Sequence, residues 1–238
     1  MALEDYFAVY GGREFAFPKI AGAYTGHALV ICGDAANVWE DLEAYGCRCD
    51  RGRGKVEREG HHFMVVNKLG ETFPGHIEHW YSNEAKLLTD FVKARRNEYS
   101  KEFHGPAHTH SNHKGAKWHW PLGGHGTSGL GACLVGVALG YQQITLCGLP
   151  LDDGPHNGEP PWRHCRFETS EAASQVTGAP NAHWKRARDL AFAGKVKSMS
   201  GRTREWLGGG AKFIVSPLKA RASWIFFVPR LKCRGGAG

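Results

Sequence analysis

The stretch GGHGTSGLGACLVGVALGYQQITLCGLPLDD, residues 123–153, joins a glycine-rich turn to an apolar, helix-like run and a short apolar strand that ends at two acids. Thr127 or Ser128 can cap the helix, and the N–H groups of its first turn, bared by neighbouring glycines, form a ready site for an anion. Gly124-x-Gly126-x-x-Gly129 matches the dinucleotide fingerprint in letters only. That fingerprint follows directly on a strand, whereas the residues before this turn are KWHWPLG, with a proline among them. The same glycines also suit close packing of a helix on a sheet, with Thr127 serving as a cap and nothing more. Both readings stay open at this level.

Other residue types could do chemistry. Asp152 and Asp153 close a strand, and with Asp34 they could hold magnesium, as carboxylates at adjacent strand ends often do; the alternative is that they are turn-forming acids. Six histidines, His104, His108, His110, His113, His119 and His125, crowd one segment. Their irregular spacing fits no common zinc template, so a solvated loop is the expectation and no metal site is assigned. Trp118 and Trp120, flanked by Lys114 and Lys117, could stack on bases beside phosphate contacts, or at least one of them could belong to the core. The seven cysteines are odd in number, and several sit in apolar runs such as LVICG and ITLCG. There a thiol acts as a small core residue, which suits a reducing compartment.

The elements that must position these residues are readable from periodicity. HALVICGDAANVWEDLEAYG, residues 27–46, is a strand, a Gly33-Asp34 turn and a helix with Val38, Trp39 and Leu42 on one face. A second buried strand is expected at Phe63–Val66, ending at Asn67, and a third in HIEHWYSN. Residues 84–96 have helical spacing with basic residues in the last turn. Residues 97–120 read as a polar, histidine-rich connection. A helix near 181–193 and a strand near 195–199 repeat the helix-then-strand order of the opening stretch. Strands alternating with helices predict a Rossmann-like three-layer α/β fold with a mostly parallel sheet, whose ligands gather beyond the carboxyl ends of the strands. The expected organisation is one domain over residues 1–208 and a basic appendage over 209–238.

The segment TSGLGACLVGVALGYQQITLCGLPLDD is similar to one in bacterial sialyltransferases that use CMP-sialic acid, and in related motility-associated glycosyltransferase-like proteins. ICGDAANVWEDL resembles the first nucleotide-binding turn of that family, and VVNKLGETFPGHIEHWYS its second strand, which ends in asparagine. Across residues 27–207 the order of motifs resembles a set of short bacteriophage proteins of unassigned function, some described as morphogenetic. One departure stands out. Where the sialyltransferases have a glycine-serine turn, this chain has Asp34-Ala35-Ala36-Asn37, which puts an acid where a phosphate would come.

The resemblance implies a glycosyltransferase of sialyltransferase type with a nucleotide-sugar donor, CMP- or UDP-linked, and magnesium left open. Gly33, Asp34, Asn67, Thr127, Ser128 and Gly129 would line the nucleotide, with Asp152 close by. Glycosyl transfer needs a base for the acceptor hydroxyl and a cation for the departing phosphate. His183 or His156 would supply the first, and Lys185 and Arg186 the second. The rival reading for either histidine is a surface or packing residue.

A net charge of +7, with much of the excess after residue 184, favours an anionic partner: the nucleotide-sugar itself, or DNA, for example a hydroxymethylated base as acceptor. The other class of function is a non-catalytic phage assembly or nucleic-acid-binding protein that keeps the fold. The opening MALEDYFAVYGGREF lacks a basic segment followed by an apolar one, and no apolar run reaches the ~18 residues of a membrane span. The expectation is a cytoplasmic chain, in the host cytoplasm if phage-encoded, with no membrane partner.

Overall fold

The computed structural model describes residues 17–50, 53–111, 113–120, 122, 127–151 and 182–210. Its centre is a seven-stranded sheet in the order β7-β6-β5-β4-β1-β8-β9, with every neighbouring pair parallel. The strands are β1 (Ala28–Cys32), β4 (His61–Val66), β5 (His79–Tyr81), β6 (Ala107–Thr109), β7 (Trp118–His119), β8 (Gln143–Cys147) and β9 (Val196–Ser198). A separate antiparallel hairpin pairs β2 (Arg48–Asp50) with β3 (Lys55–Glu57). The central strands ALVIC, HHFMVV and QITLC are nearly continuous apolar runs because helices cover both sheet faces.

One face carries α1 (Val38–Tyr45), α2 (Leu69–Thr72) and α3 (Ala85–Tyr99), and Val30, Phe63 and Trp80 of the sheet pack with Val38, Leu42, Leu69 and Leu88. The other face carries α4 (Ser128–Ala138) and α5, which is α-helical over residues 182–187 and widens to a π-helix at Arg188–Phe192. α4 is buried almost all round, which explains why it is apolar all round: it lies between the sheet and α5. Each fully buried leucine or valine there contributes roughly 1.5–3 kcal/mol. Its glycines set the spacing, since a Cβ at Gly136 would sit 3.0 Å from Leu29 and 3.1 Å from Ile144. A further helix, α6 (Gly201–Leu207), follows β9, and the chain after it starts to pair beside that strand through Ser198 and Gly209.

The sheet, the strands near 63–66 and 195–199, and the helices near 84–96 and 181–193 agree with the sequence. The segment 97–120 does not behave as a solvated connection. It contributes β6 and β7, and His108 and Thr109 in β6 are fully buried. Both ring nitrogens of His108 are engaged, by Trp120 Nε1 at 3.0 Å and by His79 at 3.0 Å, so this histidine is a core residue and not a metal ligand. Trp120 is also core, 1% exposed. Cys32, Cys133 and Cys147 are buried thiols pushed up by burial, as a core role predicts. No helix among the described residues is long and apolar enough to cross a membrane.

Candidate functional site

From β1 the chain builds outward through β4 to β7, then returns to place β8 on the other side of β1. This reversal leaves a switch point between the carboxyl ends of β1 and β8, the place where open α/β sheets form their ligand crevice. Two groups of residues border it.

On the α1 side the two turns are packed shut. Gly33 N–H donates to Cys147 O at 2.9 Å and Ala35 N–H to Gly148 O at 3.2 Å. Gly148 has φ +66°, and a Cβ there would lie 2.6 Å from both Gly33 O and Val38 Cβ. Asp41, buried on α1, holds this turn from below. Its Oδ2 accepts from Gly148 N–H at 2.9 Å, from the Ser200 hydroxyl at 2.6 Å and from Asn37 Nδ2 at 3.3 Å. Burial raises the Asp41 carboxyl above the usual carboxylate range, against the pull of its Ser200 and Gly148 hydrogen bonds. Sequence reasoning missed Asp41. The signal was there, because Asp41 shares the apolar face set by Val38, Leu42 and Tyr45, where an unpaired acid would be costly.

On the α4 side a continuous polar rim forms. Asn67 follows β4 with φ +52°, and its Oδ1 accepts from the Ser82 hydroxyl at 2.9 Å. The next residue, Asn83, donates its N–H to Ser128 Oγ at 3.3 Å, and its Oδ1 accepts from the Tyr81 hydroxyl at 2.7 Å. Thr127 caps α4: its Oγ1 accepts from Leu130 N–H at 3.3 Å and from Trp184 Nε1 at 3.2 Å. The last bond fastens the start of α5 to the start of α4. Gly129 is buried, with space for a Cβ limited by Leu149 Cδ2 at 3.0 Å, so it serves close packing.

The structure therefore brings Asn67, Thr127 and Ser128 together, through Ser82 and Asn83, which the sequence did not single out. His183 is half-buried beside the anchored Trp184, while Lys185 and Arg186 are exposed on the same helix. Lys185 Nζ lies 5.9 Å from the centre of the Trp206 ring. Asp34 is half-buried at the crevice edge. Asp152, Asp153, His156, Gly124 and Gly126 lie outside the described residues. Among the described residues no three His, Cys, Asp or Glu side chains gather as a metal site.

No protein-family model matches the sequence, and no curated protein matches it significantly. Solved structures do match in shape. The sialyltransferase CstII from Campylobacter jejuni in complex with cytidine-5'-monophosphate aligns with a TM-score of 0.50 and 10% identity, over 79% of this chain and 86% of that one. The same enzyme with the substrate analogue CMP-3FNeuAc gives a TM-score of 0.49 and 11% identity, over 78% and 87%. The chain has a glycosyltransferase-like α/β fold of the sialyltransferase type.

Proposed function

We propose that the chain binds a nucleotide-linked sugar at the carboxyl edge of its sheet and transfers the glycosyl group to a hydroxyl. The observation that carries this reading is the rim from Asn67 through Ser82 and Asn83 to Ser128 and Thr127, set at the crevice of a fold that CstII also has and whose structure was solved with CMP. In this proposal Asn67, Thr127 and Ser128 border the nucleotide, Gly129 lets α4 pack closely behind them, and Gly33 and Asp34 close the far side. His183 takes the proton from the acceptor hydroxyl as its oxygen bonds to the anomeric carbon. The bond from that carbon to the donor phosphate breaks, and Lys185 and Arg186 offset the charge left on the phosphate. His156 and Asp152 are the second candidates for the proton transfer. The donor is CMP- or UDP-linked.

Residues 1–208 form the functional domain and 209–238 a basic appendage. The basic charge and the motif order favour a phage-encoded protein of the host cytoplasm, with a hydroxymethylated DNA base as one candidate acceptor.

A thermal-shift screen with CMP, UDP and their sugar conjugates tests the core of this reading. A ligand at 100 times its Kd adds about 2.7 kcal/mol, or roughly 5 °C and more for a domain of this size. Expected is a rise with one nucleotide family, lost in Ser128→Trp. His183→Ala should keep the rise while turnover falls by about 10²–10⁴. No rise with any nucleotide would overturn the proposal.

A second reading, a non-catalytic phage assembly or nucleic-acid-binding protein that keeps the fold, is favoured by the packed turn at Gly33. The N–H groups of Gly33 and Ala35 are spent on the carbonyls of Cys147 and Gly148 and not offered to a ligand. In that case His183→Ala changes nothing measurable.

A further inference from the structure

At the opposite, amino edge of the sheet, the segments leading into β5 and β6 border an open cavity of about 380 Å³, which Gly54 of the β2–β3 turn and Arg95 of α3 also line. Its lining includes Arg95, Lys101, His76, His104, Gly54 and Glu102. Arg95 is 4% exposed, a rare position for a guanidinium. Nη1 donates to Gly70 O and Phe73 O, both at 2.8 Å, and Nη2 to Gly75 O at 3.4 Å. Those acceptors are carbonyls. They satisfy donors without cancelling the charge, and the buried Nε has no partner.

Lys101 compounds the imbalance. Its N–H donates to Arg95 O at 3.1 Å, which ties it to the end of α3, and its Nζ reaches over Gly54, where a Cβ would lie 3.7 Å away. Burial and the nearby Arg95 charge both pull the Lys101 ammonium down, and burial alone pulls Arg95 down. Two cations on one cavity repel each other, and burial leaves the Arg95 guanidinium poorly hydrated, so an anion between them lowers the cost. Glu102, which also lines the cavity, is exposed and makes no ion pair among the described residues; His76 lies 3.8 Å from Glu78.

We propose that this cavity is a binding site for a phosphate group, contacted by Arg95 and Lys101. A guanidinium and an ammonium lining one cavity are complementary to phosphate oxygens. An adjoining cavity of about 360 Å³ shares Glu102 and adds Lys93, Arg96 and Lys117, so cationic surface continues beyond the first phosphate. The site is separate from the nucleotide crevice, because it lies at the other end of the strands, and it stands or falls without the transferase reading.

The test follows the side-chain Nε–H resonance of Arg95 in the full chain by ¹⁵N NMR during titration with inorganic pyrophosphate and, separately, with a single-stranded oligonucleotide of about ten nucleotides. A ligand in the crevice would leave this resonance in place. Expected is a saturable shift with at least one probe, and an affinity at least about tenfold weaker in Lys101→Glu. Lys101→Gln, with its smaller charge change, covers the case in which Lys101→Glu unfolds. Tighter binding of the oligonucleotide, with a salt slope reduced by about 1 in the variant, identifies the source as a nucleic-acid backbone. Tighter binding of pyrophosphate identifies a small phosphate ligand. No saturable shift up to about 10 mM of either probe, ten times a Kd of about 1 mM, or equal binding in the folded variant, overturns the proposal.

Discussion

His79 Nδ1 lies 3.0 Å from His108 Nε2, and the contact is one link in a chain of hydrogen bonds through the core. Trp120 Nε1, which can only donate, is 3.0 Å from His108 Nδ1. His108, neutral through burial, must then carry its proton on Nε2 and donate to His79. His79 in turn donates from Nε2 to the Tyr141 oxygen at 2.9 Å, and the Tyr141 hydroxyl donates to His62 Nδ1 at 2.8 Å. Every link thus runs in one direction, from Trp120 toward the surface. Long-range ¹H–¹⁵N NMR should find His62, His79 and His108 all as Nε2–H tautomers at neutral pH. A single Nδ1–H ring among them would break the assignment.

The same chain makes the protein sensitive to acid. Burial, with a smaller push from His62, lowers His79 to about 3, and burial with His79 lowers His108 well below its ordinary range. A base whose folded pKa lies below its unfolded value of about 6.5 binds its proton better when unfolded. Stability is therefore complete above about pH 6.5 and is lost as the pH falls toward 3. Between pH 7 and pH 5 His79 alone should cost roughly 2 kcal/mol, a sizeable part of a typical domain's 5–15 kcal/mol. Urea midpoints at the two pH values measure it. His79→Asn should be less stable at pH 7 and show a flatter pH dependence; an unchanged slope would mean that other groups set the acid limit.

Asp41 offers a separate handle on the crevice. Asp41→Ala leaves the buried Gly148 N–H without its acceptor and removes the partner of Ser200, so a loss of about 2–3 kcal/mol is expected. Ser200→Ala, which deletes one donor, should cost less and should move the Asp41 carboxyl further up. Chemical denaturation gives the first pair of values, and ¹³C NMR titration of the carboxyl gives the second. Equal losses in the two variants would show that Asp41 acts through Ser200 and not through the β8 turn.

How much of this was legible follows the range of the interactions. β1, β4 and β8 announce themselves because burial on both faces demands continuous apolar residues, and α4 because a helix between two layers must be apolar all round. β6 reads AHT and β7 only WH, too short and too polar to register as strands. His108 is tolerable inside only because His79 and Trp120 meet it there, from 29 and 12 positions away in the chain. At the site, Thr127 was readable as a cap, since capping is local. Ser82 and Asn83 were not, because their roles depend on β4 and α4 arriving beside β5. Gly33 and Gly129 looked like glycines that admit a phosphate, and the structure places Leu149 against both of them.

Gly131 carries the remaining prediction. A Cβ at this position would overlap the Tyr81 hydroxyl, whose ring is fixed by burial and whose Oη donates to Asn83 at 2.7 Å. Gly131→Ala should therefore destabilise by about 1–3 kcal/mol, although alanine favours a helix by up to about 1 kcal/mol over glycine. The displaced ring also takes Asn83 with it, so the nucleotide binding proposed for the Ser128 rim should weaken together with stability. Tyr81→Phe removes the overlapping oxygen and should cost about 1 kcal/mol alone through the lost hydrogen bond. Combined with Gly131→Ala it should recover part of the first loss, a coupling of 0.5 kcal/mol or more in a double-mutant cycle. Additive losses would mean that the Tyr81 ring carbons Cζ and Cε1, 2.5 and 2.7 Å from the added Cβ and still present in Tyr81→Phe, carry the overlap and not the hydroxyl.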